Sequence, residues 1–486
     1  MQYKYVVLTN TTIGAFMAIL DSNIVLIALP TISSDLHATP FEAVWIIMGY
    51  VLVTASLLMT FGRLSDVFGR VKLYNVGFAL FTVGSALCSI APNGSSLVLF
   101  RLVQGSGGAL IFSNAAALLT DVFPPTERGR ALGLNQVAGT VGSVLGLALG
   151  GVLAGSFLGW RSIFWINIPV GTFATAWAYF KLKETGERRR GDKLDPLGNV
   201  LFSGGLTVFL VGLMLGALIG WAPAYFGLMA VGLAMIGGFV YTETKVRFPM
   251  MDLSLFRIRA FASGMASNLL ASVARGGVSL VLVFYLQGVL LLNAYTAGLW
   301  LIPFSVAFVT FGPLSGHFSD KVGSRGLATA GLLVTAAALF WFGFVPLPLT
   351  NVNYLQLLVP MSLAGAGGGL FVAPNVASIM NATPAPRRGI ASGMTSTLVN
   401  TGFLLSMGLA FAVMAASVPD AVLQAIFSGA SGGIGPLLEA RFVGSLHGLF
   451  LVMGTISLFA AVPVYMTKKT KPQGEAGGAA ATAATE

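Results

Sequence analysis

A chain of 486 residues that is 56% hydrophobic, only 9% charged and +0.85 in mean hydropathy has too few charged groups to cover a water-soluble globule, so its main solvent is lipid. The formal charge of +10 would suggest nucleic acid in a soluble protein, but here the cations gather beside apolar runs, where they face an anionic leaflet instead. The single cysteine, Cys88, excludes an intramolecular disulfide and a cysteine-based metal site.

Apolar runs of roughly 20 residues, the length that crosses the hydrocarbon, predict fourteen spans: about 8–30, 42–61, 73–91, 97–120, 131–155, 162–181, 196–217, 224–242, 260–288, 295–316, 327–346, 354–380, 389–416 and 443–466. The first run carries an aspartate and lacks a small-x-small cleavage site, so it is read as a retained helix rather than a signal peptide. With both ends inside, 23 of the 27 Lys and Arg residues fall in cytoplasmic segments; Arg161 and Arg441 fall outside, and Arg101 and Arg275 within the membrane. This is the positive-inside bias of an inner or plasma membrane protein with cytoplasmic termini. The connection from Lys181 to Asp195, K-L-K-E-T-G-E-R-R-R-G-D-K-L-D, is too charged to cross. It sets a six-span half, 1–181, apart from a linker with two inserted spans, 182–259. A second six-span half follows over 260–466, and 467–486, rich in Ala, Gly and Thr, is predicted as a disordered cytoplasmic tail.

An internal repeat supports these halves. At an offset of 260, Gly105–Gly142 aligns without gaps to Gly365–Gly402 with 11 of 38 positions identical, among them Gly105/Gly365, Gly108/Gly368, Arg128/Arg388 and Gly142/Gly402. At an offset of 254, Gly62, Asp66 and Gly69 match Gly316, Asp320 and Gly323. The architecture expected is an all-α membrane protein: two six-helix halves related by an axis along the membrane normal, enclosing a midplane site, plus two extra helices.

Four motifs carry a family resemblance. The loop G-R-L-S-D-V-F-G-R-V-K (Gly62–Lys72) and its copy G-H-F-S-D-K-V-G-S-R (Gly316–Arg325) resemble the loop signature of the major facilitator superfamily. L-D-S-N-I-V-L-I-A-L-P (Leu20–Pro30), R-L-V-Q-G-S-G-G (Arg101–Gly108) and W-R-S-I-F-W-I-N-I-P-V-G (Trp160–Gly171) are similar to span-one, span-four and span-six motifs of its fourteen-span drug:proton antiporter family. The fifth-span antiporter motif departs from the pattern: G-L-A-L-G-G (Gly146–Gly151) has Leu147 where the family has proline. Gly142, Gly146 and Gly150 still fall four apart on one stripe, with Gly151 beside them, permitting close helix approach. In the family this face lines the moving interface.

Proton coupling needs a group that gains and loses a proton inside the membrane, and Asp21 is the one carboxylate in the predicted spans away from their ends. Burial disfavours its ionised form and a nearby arginine favours it. Depth and the repeat make Arg275 the expected charge partner of Asp21, facing it across the central cavity, with Arg101 placed roughly 10 Å nearer the outside. The resemblance implies that Arg101 assists proton transfer, with Gln104 one turn below. Asp66 and Asp320 are expected to gate, each against a helix amino end, with Arg70, Arg128 and Arg388 as counter-charges. Asp121 reads as a solvated helix-end charge, and His37 and His317 as loop residues. Trp45, Tyr50, Gln104, Asn114, Asn268, Tyr285, Asn375 and Asn400 are candidate cavity residues, chosen as polar or aromatic interruptions of core spans.

The expected function is proton-coupled efflux of lipophilic drugs or related small molecules by alternating access, with no cofactor, no metal and a monomer as the working unit. The alternatives are a dedicated exporter of one amphipathic metabolite, lipid or siderophore, and a non-transporting membrane sensor. No phosphate-binding, H-E-x-x-H or Ser/His pattern points to an enzyme.

Overall fold

The computed structural model describes residues 2–184, 195–246, 249–344, 354–384, 387–428 and 436–466. The predicted tail, 467–486, and most of the charged connection lie outside these residues. The described residues contain no strand and form α1 (Tyr3–Asp35), α2 (Pro40–Phe68), α3 (Arg70–Ser89), α4 (Gly94–Val122), α5 (Pro125–Ala154), α6 (Ser162–Trp165), α7 (Asn167–Lys181), α8 (Pro196–Ile219), α9 (Pro223–Glu243), α10 (Arg259–Gly276), α11 (Val278–Phe284), α12 (Ala294–Val322), α13 (Ser324–Phe344), α14 (Tyr354–Ala382), α15 (Arg388–Ser417), α16 (Asp420–Phe427) and α17 (Pro436–Tyr465).

Thirteen stretches among them are long and apolar enough to cross a membrane. The remaining predicted span, 162–181, is divided between α6 and α7. Pro169 has no N–H to offer the Trp165 carbonyl, so the helical ladder is interrupted there although the backbone at Ile166 stays helical. The span predicted over 260–288 is also composite: α10 and α11 are followed by a π-helical turn, Tyr285–Val289. Most helices outrun the predicted spans because a helix continues past the hydrocarbon into the headgroup layer. His317, expected in a loop, therefore lies on α12.

Two compact units make up the chain. One comprises Met1–Asp252, Gly276–Ile302 and Phe403–Leu446, and the other Leu253–Arg275, Pro303–Gly402 and His447–Glu486. In the first, α1 lies along α5, α2 and α3 both lie on α4, and α7 lies on α3. In the second, α13 lies along α14, and Gly365 of α14 faces the Phe304 carbonyl of α12. Gly402 of α15 meets Leu269 and Ser272 of α10, and Ser457 of α17 donates to the Leu332 carbonyl of α13 at 3.0 Å. The pairings α1/α5, α2/α4, α3/α4 and α3/α7 thus recur as α10/α15, α12/α14, α13/α14 and α13/α17. The sequence repeat is a repeat of packing.

Two turns are built alike for the same reason. Gly69, between α2 and α3, has φ +111°, and Gly323, between α12 and α13, has φ +86°, a region open to glycine and strained for residues with a Cβ. The inserted helices α8 and α9 pack on each other and α8 also touches α2. Asn199 donates to the Ser56 carbonyl at 2.7 Å and to Thr60 at 2.9 Å. After α9, Glu243 accepts from the backbone N–H groups of Met250 and Met251, both at 3.1 Å, while Arg63 donates to the Pro249 carbonyl. The inserted pair is hydrogen-bonded to the end of α2.

Candidate functional site

Asp21 sits just past the middle of α1 and is fully buried. One carboxylate oxygen accepts from Arg101 Nη1 of α4 at 2.5 Å; the other accepts from Gln104 Nε2 of α4 at 2.9 Å and Asn167 Nδ2 of α7 at 2.7 Å. Arg101, also fully buried, donates through Nε to the Ile46 carbonyl of α2 at 3.0 Å and through Nη1 to Gln104 Oε1 at 2.6 Å. Gln104 Nε2 further donates to Ser85 of α3 at 2.8 Å, and Cys88 lies against Gln104 Oε1 at 3.7 Å. The Tyr50 ring covers the guanidinium, 4.4 Å from ring centroid to Cζ. Five helices contribute to one polar cluster around one carboxylate.

Small residues let the helices come this close. Gly105 of α4 lies against the Tyr50 carbonyl, where a Cβ would stand 2.8 Å away, and Gly108 makes room for the Tyr50 hydroxyl. Taking two ions out of water costs several kcal/mol each, offset only when geometry and further hydrogen bonds are good. Both oxygens of Asp21 are satisfied; Arg101 Nη2 is the one group of the pair without a hydrogen bond.

A second charged cluster lies at the cytoplasmic ends predicted for α2–α4. Arg70 pairs with Asp66 one turn back at 2.8 Å and with Asp121 of α4 at 2.6 Å. Asp121 is therefore a partner of the loop arginine rather than a lone solvated charge, because Arg70 can reach the end of α4 from the start of α3. The side chains of Asp320 and Arg128 lie outside what is described, and Arg388 is exposed at the start of α15.

The sequence profile of the Major Facilitator Superfamily matches residues 11–244 and 264–485. The chain belongs to the Major Facilitator Superfamily. It is 32% identical to the multidrug resistance protein Stp of Mycobacterium tuberculosis over 84% of this chain and 75% of that one. It is 31% identical to the riboflavin transporter RibZ of Clostridioides difficile over 85% of this chain and 88% of that one. The crystal structure of a D-xylose–proton symporter superposes with a TM-score of 0.65 at 15% identity, covering 97% of this chain and 100% of the other, and so shares the fold. This superfamily member is a multi-pass membrane transport protein for small molecules, and not an enzyme.

Within this transporter fold, the glycine stripe of α5 faces α1. A Cβ on Gly142 would stand 2.6 Å from the Phe16 carbonyl, one on Gly146 2.7 Å from the Leu20 carbonyl, and one on Gly150 2.8 Å from the Ile24 carbonyl. Gly151 instead faces the Ala294 carbonyl, from which a Cβ would stand 2.5 Å away. Leu147 is buried and its carbonyl lies where Gly298 of α12 leaves room.

The pairing expected of Asp21 with Arg275 is replaced by one with Arg101. The depth argument counted Cα positions and neglected the arginine stem, which carries its charge well below its own turn. Arg275 belongs to the second unit, where its guanidinium lies 5.6 Å from the Phe308 ring centroid. Of the cavity candidates, Tyr50 and Gln104 belong to the Asp21 cluster. Asn114 bonds its own helix at the Leu110 carbonyl, 2.8 Å. Asn375 donates to the Gly264 carbonyl at 3.1 Å and borders a small cleft with Ser263, Ser378 and Arg325. Trp45, Asn268 and Tyr285 are buried, and Asn400 is half-buried. Asn167 escaped sequence reasoning; its signal was an asparagine two residues before a proline in an apolar run.

Proposed function

We propose that this transporter exports lipophilic small molecules in exchange for protons, by alternating access, with Asp21 as the proton carrier. The observation that carries the reading is a fully buried carboxylate whose oxygens are held by Arg101, Gln104 and Asn167. Protonation of Asp21 removes the counter-charge of Arg101 and leaves a buried guanidinium unmatched. That change favours a different helix arrangement, and a state change of this kind is what links a proton to a substrate. The Arg70–Asp66–Asp121 cluster ties α2, α3 and α4 at one end and is proposed to stabilise the state closed on that side. No cofactor is required, since the proton gradient supplies the energy. The positive-inside bias supports placement in the inner or plasma membrane with both termini cytoplasmic, and the internal repeat supports a monomer as the working unit.

The likeness to Stp favours a broad substrate range. The likeness to RibZ supports the second reading, export of one metabolite. Proton movement from acidified proteoliposomes, followed with a panel of lipophilic cations, zwitterions and acids, tests the proposal. Compound-dependent collapse of the pH gradient that vanishes in Asp21→Asn supports antiport through Asp21. Transport that is insensitive to the gradient would sink it.

A further inference from the structure

The repeat relates Asp21 of α1 to Arg275 of α10, so the second unit has an arginine where the first has an acid. In the first unit the acid is answered from α4 by Arg101 and Gln104. The matching positions of α14 are Met361 and Ala364, both buried and neither able to carry a counter-charge. The only carboxylate among the described residues of this unit is Asp320, twelve residues beyond Phe308 on the same helix and so about 18 Å from it along the axis. Arg275 meanwhile lies at Phe308, and its Nε is buried without a hydrogen-bond partner.

Room is kept for this cation. Arg275 Nη1 lies 2.8 Å from where a Cβ on Gly368 would stand, and the Phe308 ring edge 3.1 Å from the same point. The corresponding glycine of the first unit, Gly108, makes room for Tyr50. Asn268, seven residues and so about two helical turns before this arginine on α10, is on the same face. It is buried and its Nδ2 also lacks an acceptor. This face of α10 therefore presents two unfilled donors, one of them charged, to no acid of its own unit. Burying an arginine without its counter-ion is expensive, and in a membrane such a charge marks a pathway or a ligand.

We propose that Arg275 is the anion-recognition residue for substrate, and that the transported compounds include aromatic organic acids whose carboxylate supplies the missing acceptor. The planar guanidinium offers two parallel N–H groups to a carboxylate, and Asn268 offers an amide N–H along the same face. The inference deepens the exporter reading and rests on it, by naming the charge class of the cargo.

Equilibrium binding to the purified full-length protein tests it, with naphthalene-2-carboxylate and naphthalene-2-carboxamide as a matched pair. The parent is expected to bind the acid at least about tenfold more tightly than the amide, the scale of a charge-assisted hydrogen bond. Arg275→Gln is expected to bind both alike at the affinity of the amide, and Arg275→Lys to keep part of the preference. An equal melting temperature for the parent and Arg275→Lys shows that the fold is retained. Equal affinities in the parent, or a preference that survives Arg275→Gln, would overturn the proposal. Asp21→Asn separates the two readings: it should abolish gradient-driven export while the preference for the acid stays. A preference lost in Asp21→Asn would place acid recognition at the other cluster and overturn the assignment to Arg275. A preference intact in a parent that shows no proton-driven export would refute the exporter reading alone.

Discussion

Arg101 divides its donors: Nε holds the Ile46 carbonyl of α2, and Nη1 holds both Asp21 and Gln104. A lysine has one compact charge and cannot occupy both directions. Arg101→Lys is therefore expected to fold yet lose most gradient-driven transport, measured as the initial rate in proteoliposomes. Asn167→Ala removes one of three donors from a buried carboxylate; a lost bond of this kind costs about 1–3 kcal/mol, read as a lower melting temperature of the purified protein. Asp21, Arg101 and Gln104 were legible in sequence, because polar residues in apolar spans are few and all three fall in recognisable motifs. Asn167 was not, since an asparagine in a membrane run can equally bond its own helix, as Asn114 does. The exchange of Arg275 for Arg101 was hidden because depth along an axis fixes the Cα and leaves the reach of a long side chain free.

Spans and repeat were read correctly at the level of helices because both depend on patterns that extend over many residues. Breaks inside spans depend on single residues: Pro169 divides α6 from α7, and nothing in the composition of 285–289 announced a π-turn. The glycine stripe of α5 is a sharper statement, because it specifies which backbone carbonyls of α1 it touches. Gly146→Val would force its Cβ to within 2.7 Å of the Leu20 carbonyl, next to Asp21. Overpacking of this kind costs about 1–3 kcal/mol, and the variant should show both a lower melting temperature and impaired transport. Gly69→Ala tests the turn: at φ +111° any side chain is strained, and a Cβ would also meet Glu184, which accepts from the Lys72 N–H at 2.8 Å. Its expected cost is about 1–2 kcal/mol, with the Asp21 cluster and substrate binding unchanged.

For the molecule as a whole, the proposed orientation rests on the distribution of charge, and a cation that departs from it has a local partner. Arg161, one of two cations predicted outside, donates to Asp35 at 2.8 Å and to the Ala91 carbonyl at 3.2 Å, and Asp35 also accepts from Trp160 at 2.8 Å. Its charge is used to tie the ends of three segments together and is not free to argue for the cytoplasm. Added protease should cut the Lys181–Asp195 connection in inside-out vesicles and spare it in right-side-out ones; the reverse result would invert the topology. One further feature gives this transporter a built-in clock. Its sole thiol, Cys88, is buried against Gln104 and so against the proposed proton site, which makes the native chain its own single-label probe. Maleimide capture of that sulfur, timed by mass spectrometry, reports how often water reaches the site. Only the thiolate reacts, so each rate is divided by that of the unfolded chain at the same pH. Slow capture in the parent at neutral pH, a higher ratio on acidification, and a high ratio at any pH in Asp21→Asn would record the opening of the cluster without a foreign reporter group.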